Sequence, residues 1–465
     1  MSQRDIIWLT LESIRWDHTS LSDHCRDTTP QLKRIVNSSD ACSFNNCHSH
    51  GIWTRSSSAS ILTGMAPSRH GVGIDRQRLP EEVETIPEKL RQLGYRTAGV
   101  SSNVQISPET SARGFDNFHY LSADTILENV PYDILLKYGL NLWRHSVGLN
   151  TNTKAHSLGY IERALSKREI TKTKEDDRPL FLYTHIGDSH HPYYPPNPWQ
   201  KEFESDLTLP LDEALNISMD MSNNILDRVA NGINYTDDEL YSLEVLYDSH
   251  IKYVDHLVGD IVSFAKRQLD NPIIVITADH GELFGEQNLL GHRLTINSAL
   301  TNVPLVLIGC NNRESISKNS DSLLQHADAM QTVLDSIDVS ENLEIGQNIG
   351  NEHRKFVVSQ LGIDHQKSNL KKVKNISPEF ESPYPPETVT MLKSKTHTLF
   401  SSESCSKIID STTRESVNED EIIDKYESQL EEWLSKFGEP ISDSEEEEFS
   451  TEVKQRLQKL GYVAD

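Results

Sequence analysis

The chain has 465 residues, with 70 Asp and Glu against 45 Lys and Arg, for a net charge of −25. That balance argues against sequence-independent binding to nucleic acid, whose phosphates would be repelled, and equally against docking on an anionic membrane by charge. No stretch of about 18 uninterrupted apolar residues occurs, so no integral membrane segment is expected.

Ile6 to Leu11 reads as a buried strand. The run is short and lacks a small-residue cleavage site, so it is not expected to be a signal peptide, and the expected location is cytoplasmic. Five scattered cysteines suit a reducing compartment better than a disulfide framework. Among them, Cys42, Cys47 and the adjacent His48 lack a second pair of thiol ligands and make a poor metal clip. Pro30 to Val36 reads as a helix with Thr28 or Thr29 as N-cap. A helix from Thr54 to Gly64 and another from Pro87 to Leu93, stopped by Gly94, precede a strand over Tyr95 to Ser101. Strands follow at Leu180 to Ile186, Ile273 to Thr277 and Val303 to Gly309. A long helix covers Leu243 to Leu269. Alternation of this kind predicts an α/β fold with a mostly parallel sheet covered on both faces.

Residues 119–178 and 197–240 are polar and read as irregular insertions with weak helices. Lys355 to Gly362 and Thr388 to Ser401 read as antiparallel strands of a small C-terminal α+β subdomain, followed by an amphipathic helix over Glu419 to Phe437. The expected division is 1–345 and 346–465. Ser442 to Phe449 is an acidic run, and Leu457 to Val463 reads as a short docked helix.

Open parallel sheets bind ligands beyond the carboxyl ends of their strands. After the first strand come Glu12, Ser13, Arg15, Asp17 and His18. After Leu180 to Ile186 come Asp188, His190 and His191. After Ile273 to Thr277 come Asp279, His280, Glu282 and, further on, His292. A lone histidine is more often structural than a ligand, but acid and histidine at three strand ends are hard to explain by packing. Glu12, Asp279 and His280 offer oxygen and nitrogen donors suited to Ca²⁺, Mg²⁺, Mn²⁺ or Zn²⁺. The alternative is that Asp279 and His280 only cap a turn. Thr54 opens a helix and is either a plain cap or a hydroxyl at an anion site, activated by a nearby metal to attack phosphorus or sulfur.

In order along the chain, four segments resemble the sulfatase branch of the alkaline phosphatase superfamily. They are Ile6 to Asp17, Thr54 to Gly64 with Pro67-Ser68-Arg69-His70-Gly71, Asp188 to Tyr193, and Asp279 to Glu286. The resemblance spans roughly residues 4–310 and implies an αβα sandwich. Its style is similar to haloarchaeal members, including the terminal Leu460-Gly461-Tyr462. A salt-rich cytoplasm would suit the acidic composition. The resemblance implies Glu12, Asp279, His280 and Thr54 as metal ligands, and His190 and His292 as contacts to the bound anion and leaving oxygen. Thr54 stands where sulfatases carry the Cys or Ser that becomes formylglycine, so no formylglycine is expected. Ser13 replaces one ligand Asp, and His292 replaces a Lys. Threonine nucleophiles resemble those of the superfamily's phosphodiesterases and phosphotransferases, which mostly hold two metals; His185, Asp188 and His191 are candidates for extra ligands.

The expected function is therefore metal-dependent hydrolysis of a sulfate ester through an unmodified Thr54. A phosphodiesterase or a phosphoglycerol- or phosphoethanolamine-type transferase is the alternative, and a non-catalytic scaffold binding anionic glycans a further one. The expected partner is a small anionic ester; a sulfated or phosphorylated sugar is what family analogy suggests.

Overall fold

The computed structural model describes residues 4–107, 110–122, 126–150, 152–339, 341–351 and 353–441. The acidic run after Ser442 and the short helix expected at Leu457 to Val463 lie outside the described residues.

Among the described residues, ten strands build the main body: β1 Ile6–Leu11, β2 Ala41–His48, β3 Arg96–Ser101, β4 Asn117–Tyr120, β5 Leu180–Ile186, β6 Ile273–Ala278, β7 Leu283–Phe284, β8 Leu290–Gly291, β9 Asn302–Ile308 and β10 Leu324–Gln325. Eight of them form one sheet in the order β10-β2-β9-β6-β1-β5-β3-β4, and β7 pairs β8 in a separate ribbon. All pairs in the large sheet are parallel except those of β9, which runs antiparallel to both β2 and β6. Every residue of β1, β3, β5 and β6 is buried, as expected for strands covered on both faces.

The helices supply that cover. The long helix Asp237–Gln268 starts two turns earlier than its apolar pattern suggests, because Thr236 and Glu239 close a capping box. The helix Pro30–Val36 is capped differently from expectation. Thr29 makes no side-chain cap; instead Asp255 accepts from the backbone of Gln31 at 2.7 Å and Leu32 at 2.9 Å.

Residues 119–178 are not the irregular insertion expected. They contain the helix Gly159–Lys172, which packs on β5 and against Asp237–Gln268. Its buried face carries Glu162 and Glu169, which hid the helical pattern. Each is satisfied: Glu162 accepts from Ser102 N at 3.0 Å, and Glu169 pairs with Arg96 at 2.6 Å. Residues 197–240 likewise contain a 20-residue helix, Leu211–Ala230.

A second, antiparallel sheet follows: β11 Val357–Leu361, β12 Val389–Lys393, β13 His397–Ser401 and β14 Ser406–Asp410. Its faces part along the strands. Leu361, Met391 and Phe400 join the main core, while Val358, Leu392, Leu399 and Ile408 pack under Tyr426 and Leu430 of the helix Asp420–Phe437. β11 also holds the loop that follows β2: Gln360 N donates to His50 O at 2.8 Å, and Ser359 Oγ to Ser49 O at 2.5 Å. That loop leads directly to Thr54.

Candidate active site

Strand register gathers the polar residues. Leu11 lies level with Ile186 on one side and Ala278 on the other. Glu12, Gly187 and Asp279 therefore leave the sheet together at its carboxyl edge. β2 runs in the same direction as β1, so the loop after it brings Thr54, the first residue of the helix Thr54–Thr63, to that edge as well.

There the side chains converge. Thr54 Oγ1 donates to Glu12 Oε1 at 2.7 Å and lies 3.4 Å from His280 Nε2. Glu12 Oε2 accepts from His185 Nε2 at 2.5 Å and Asn103 Nδ2 at 2.6 Å. Asp279 Oδ1 accepts from the backbone N–H groups of Ser13 and His280, both at 2.9 Å. Its Oδ2 is buried, makes no hydrogen bond, and lies 3.4 Å from His280 Nε2. His280 Nδ1 donates to Gly281 O at 2.8 Å, which turns Nε2 toward the carboxylates. Donor atoms of Glu12, Asp279 and His280 all lie within 4.8 Å of one another. A buried carboxylate oxygen without a hydrogen bond, beside a second carboxylate, an imidazole nitrogen and a hydroxyl, fits a divalent cation.

Electrostatics point the same way. Burial would raise the pKa of Glu12, but His185 and His280 outweigh it and hold the carboxyl well below its ordinary range. Asp279 is raised, by burial and by the negative charge of Glu12. His280 is pushed up to about 9, because Asp279 and Glu12 overcome its burial. The two carboxylates thus draw positive charge to this point, which is what a cation site does.

A second layer of imidazoles leads outward. The His292 ring lies 4.5 Å from that of His280 and 5.3 Å from that of His190, whose ring is 4.2 Å from that of His191. His292 Nδ1 is 3.1 Å from Glu282 Oε1, and burial with neighbouring His280 and His190 holds its pKa well below the ordinary value. His190 Nδ1 donates to His191 O at 2.7 Å, and its Nε2 is buried without a hydrogen bond. Both rings line a cleft of about 1060 Å³ that reaches Glu12. Its rim is basic, with Arg55, Arg76, Lys154, Arg293, Lys371 and Lys372 among its lining residues. On a chain of net charge −25, this concentrates positive potential at one opening.

Several expected residues lie elsewhere. Asp188 is no spare ligand: it accepts from Ser157 Oγ and the backbone of Leu158 and Gly159, capping the helix Gly159–Lys172. A Cβ on Gly159 would collide with that carboxylate. His191 Nδ1 is 3.1 Å from Ser222 Oγ, outside the inner cluster, whereas His185 sits within it. Arg15 and Asp17 pair with each other at 2.7 Å. His18 joins a separate cluster with His24 and Asp248. Cys42 and Cys47 belong to no metal-like cluster among the described residues. Sequence reasoning missed Asn103, a single polar residue after β3 with no pattern around it. It also missed the helix Ile363–Ile376, which brings His365, Lys371 and Lys372 to the rim; the basic run Lys371-Lys372-Val373-Lys374 was the visible signal.

The sequence model of the Sulfatase family matches residues 4–339. This chain belongs to the sulfatase family. Among its relatives, an arylsulfatase of Clostridium perfringens is 24 % identical over 369 residues, covering 72 % of this chain and 75 % of that one. The phosphonate monoester hydrolase of Agrobacterium radiobacter superposes with a TM-score of 0.69 at 16 % identity, over 93 % of this chain and 96 % of that one. BT4656, solved in complex with its substrate D-glucosamine-2-N,6-O-disulfate, gives a TM-score of 0.62 at 16 % identity over 94 % and 98 %. As a member of this hydrolase family of the alkaline phosphatase superfamily, the chain keeps the family's sheet and small C-terminal sheet, with a threonine at the head of the helix that faces the strand ends.

Proposed function

We propose that this sulfatase-family enzyme hydrolyses a small sulfate ester with the unmodified hydroxyl of Thr54 as nucleophile. The observation that carries the reading is the position of Thr54 Oγ1, 2.7 Å from Glu12 Oε1 and 3.4 Å from His280 Nε2, just behind Glu12, which lines a basic cleft. Glu12, Asp279, His280 and Thr54 would hold one divalent cation; the donors are oxygen and nitrogen, which suit Ca²⁺, Mg²⁺, Mn²⁺ or Zn²⁺. When bound, such an ion stabilises negative charge on the ester oxygens and favours the ionised hydroxyl.

The chain's own groups have distinct tasks. Arg55 and Arg293 draw the anion into the cleft. Thr54 Oγ1 forms the bond to sulfur, with Glu12 Oε1 placed to accept its proton. The ester S–O bond breaks, and His190 supplies a proton to the leaving oxygen, while neutral His292 lies beside it against His280. Water then loses a proton to His190 and attacks the sulfur; the S–Oγ1 bond breaks, Thr54 Oγ1 takes back its proton from Glu12, and sulfate leaves. A sulfated sugar is the substrate class we favour, since BT4656 binds a disulfated glucosamine within the same fold.

Phosphoryl transfer is the second reading. A formylglycine hydrate can eliminate sulfate, whereas an ester on threonine must be cleaved by water or passed to another acceptor, and a phosphorus centre suits that route. The likeness to a phosphonate monoester hydrolase supports it on fold alone.

The test compares wild type and Thr54→Ala on an aryl sulfate, an aryl phosphate and an aryl phosphonate monoester, with each of the four metals supplied. Sulfate release lost in Thr54→Ala supports the first reading. Preference for the phosphate or phosphonate moves the assignment to phosphorus. Turnover unchanged in Thr54→Ala contradicts both.

A further inference from the structure

Ten large hydrophobic side chains are exposed among the described residues, and six of them fall between Leu127 and Leu149. Leu127, Tyr132, Leu136, Leu140, Trp143 and Leu149 are 65 to 99 % exposed; the other four are 38 to 40 % exposed. Tyr132, Leu136 and Leu140 recur every four residues along the helix Tyr132–Leu140 and so stand on one face; Trp143 follows on the next short helix, Leu142–His145. The other face docks on the body: Ile134 is buried, and Tyr138 Oη donates to Ser157 O at 2.8 Å. The helix is therefore apolar toward solvent as well as toward the core, which a surface helix ordinarily is not.

The stripe is also held in place. Gly148 has φ +74°, and a Cβ there would lie 2.5 Å from the Trp143 ring. A glycine at this turn lets the indole rest on the backbone.

Local charge is opposite to that of the whole chain. Residues 126–172 hold seven Lys and Arg against four Asp and Glu, a net +3 in a chain of −25. Glu162 and Glu169 are buried, while Asp133 pairs with Lys137 and Arg168 at 3.5 Å and Asp260 of the long helix pairs with Arg163 and Lys167; Arg144, beside the stripe, is exposed and in no ion pair among the described residues.

We propose that this segment docks on an anionic lipid surface. Tyr132, Trp143 and the leucines would enter the boundary between headgroups and acyl chains, with Lys137 and Arg144 against the headgroup phosphates. Side chains this exposed protrude as a ridge, which suits insertion into a soft layer. A second copy would set the same net-positive segment against itself across a two-fold axis. The acidic remainder of the chain is screened beyond about 10 Å at ~0.1 M salt. The segment runs on into Lys154 and His156, which line the cleft, so docking would bring the cleft to the lipid. The proposal stands independently of the reaction at Thr54.

The test is flotation of the full chain with vesicles of phosphatidylcholine alone, or of phosphatidylcholine mixed two to one with phosphatidylglycerol. Wild type is expected to float with the mixed vesicles. The double variant Leu136→Ser, Trp143→Ser should bind about tenfold more weakly or worse while unfolding at the wild-type temperature. Lys137→Glu with Arg144→Glu should weaken binding to the mixed vesicles at low salt. No flotation of wild type, or flotation unaffected by the double variant, overturns the proposal. Equal binding to both vesicles overturns the anionic-lipid assignment. A concentration-dependent dimer that the double variant dissociates, without vesicle binding, gives the surface to a second copy.

Discussion

Two buried clusters of carboxylate and imidazole stand on opposite terms with positive charge. At Asp248, both oxygens are engaged: His18 Nδ1 at 2.7 Å on one, His24 Nε2 at 2.7 Å and Arg26 Nε at 2.6 Å on the other. Burial would raise Asp248, yet His18 and His24 bring it down to about 2. The cluster contains its own permanent cation in Arg26 and ties the loop after β1 to the helix Asp237–Gln268. At Glu12 and Asp279 two carboxylates meet imidazoles, one oxygen makes no hydrogen bond, and a threonine hydroxyl stands among them. Residue types alone would mark both as metal sites. What separates them is whether the protein has already filled the place a cation would take.

That contrast can be broken in several ways. Thr54→Ala should lower kcat about ten-thousandfold or more, since it removes the atom that forms the new bond. Steady-state turnover on the preferred ester checks this, and a modest loss would make Thr54 a bystander. Asp248→Asn should instead leave turnover near wild type while costing about 3–5 kcal/mol, because Arg26 loses its buried counter-charge. Denaturant unfolding of the variant reads that cost; a stable variant with lost activity would reverse the roles of the two clusters.

Imidazoles that lack a carboxylate sharpen the comparison. Burial holds His70 down to about 3. Its Nδ1 accepts from Val72 N at 3.1 Å, so a proton there has no acceptor, while Nε2 faces Ser60 Oγ. The unfolded chain takes up a proton below about pH 6.5, and the folded chain does not until near its own depressed value. Stability should therefore fall as pH falls through this window, with His70 alone accounting for about 2 kcal/mol at pH 5. Thermal unfolding at pH 7 and pH 5 measures it, and His70→Asn should flatten the slope. The smallest effect belongs to the rim. Lys371→Ala should raise KM about threefold with kcat unchanged, and salt should erase the difference. An effect on kcat would place Lys371 nearer the chemistry than the cleft suggests.

Much of this architecture was legible in the sequence, for a physical reason. β1, β5 and β6 are continuous apolar runs, and the acid and histidine after each stand out against them. Register then does what spacing cannot, setting Glu12 and Asp279 level although 267 positions separate them. The helix Gly159–Lys172 was not legible, because its buried glutamates find their partners, Arg96 for Glu169 and the Ser102 amide for Glu162, far away in sequence. Asp188 read as a ligand because nothing local announces that it caps that helix. Asn103 is one polar residue among many until its amide is seen 2.6 Å from Glu12. The lysines of Ile363–Ile376 were visible as a basic run, but only the docking of the small sheet carries them to the cleft.

Metal stoichiometry tests the central claim most directly. Wild type, Asp279→Asn and Asp248→Asn would each be stripped with chelator, dialysed against Mn²⁺, Ca²⁺, Mg²⁺ or Zn²⁺, and assayed for bound metal. The account predicts one equivalent in wild type and in Asp248→Asn, and loss of it in Asp279→Asn. Metal retained by Asp279→Asn but lost from Asp248→Asn, or none bound by wild type, would contradict it.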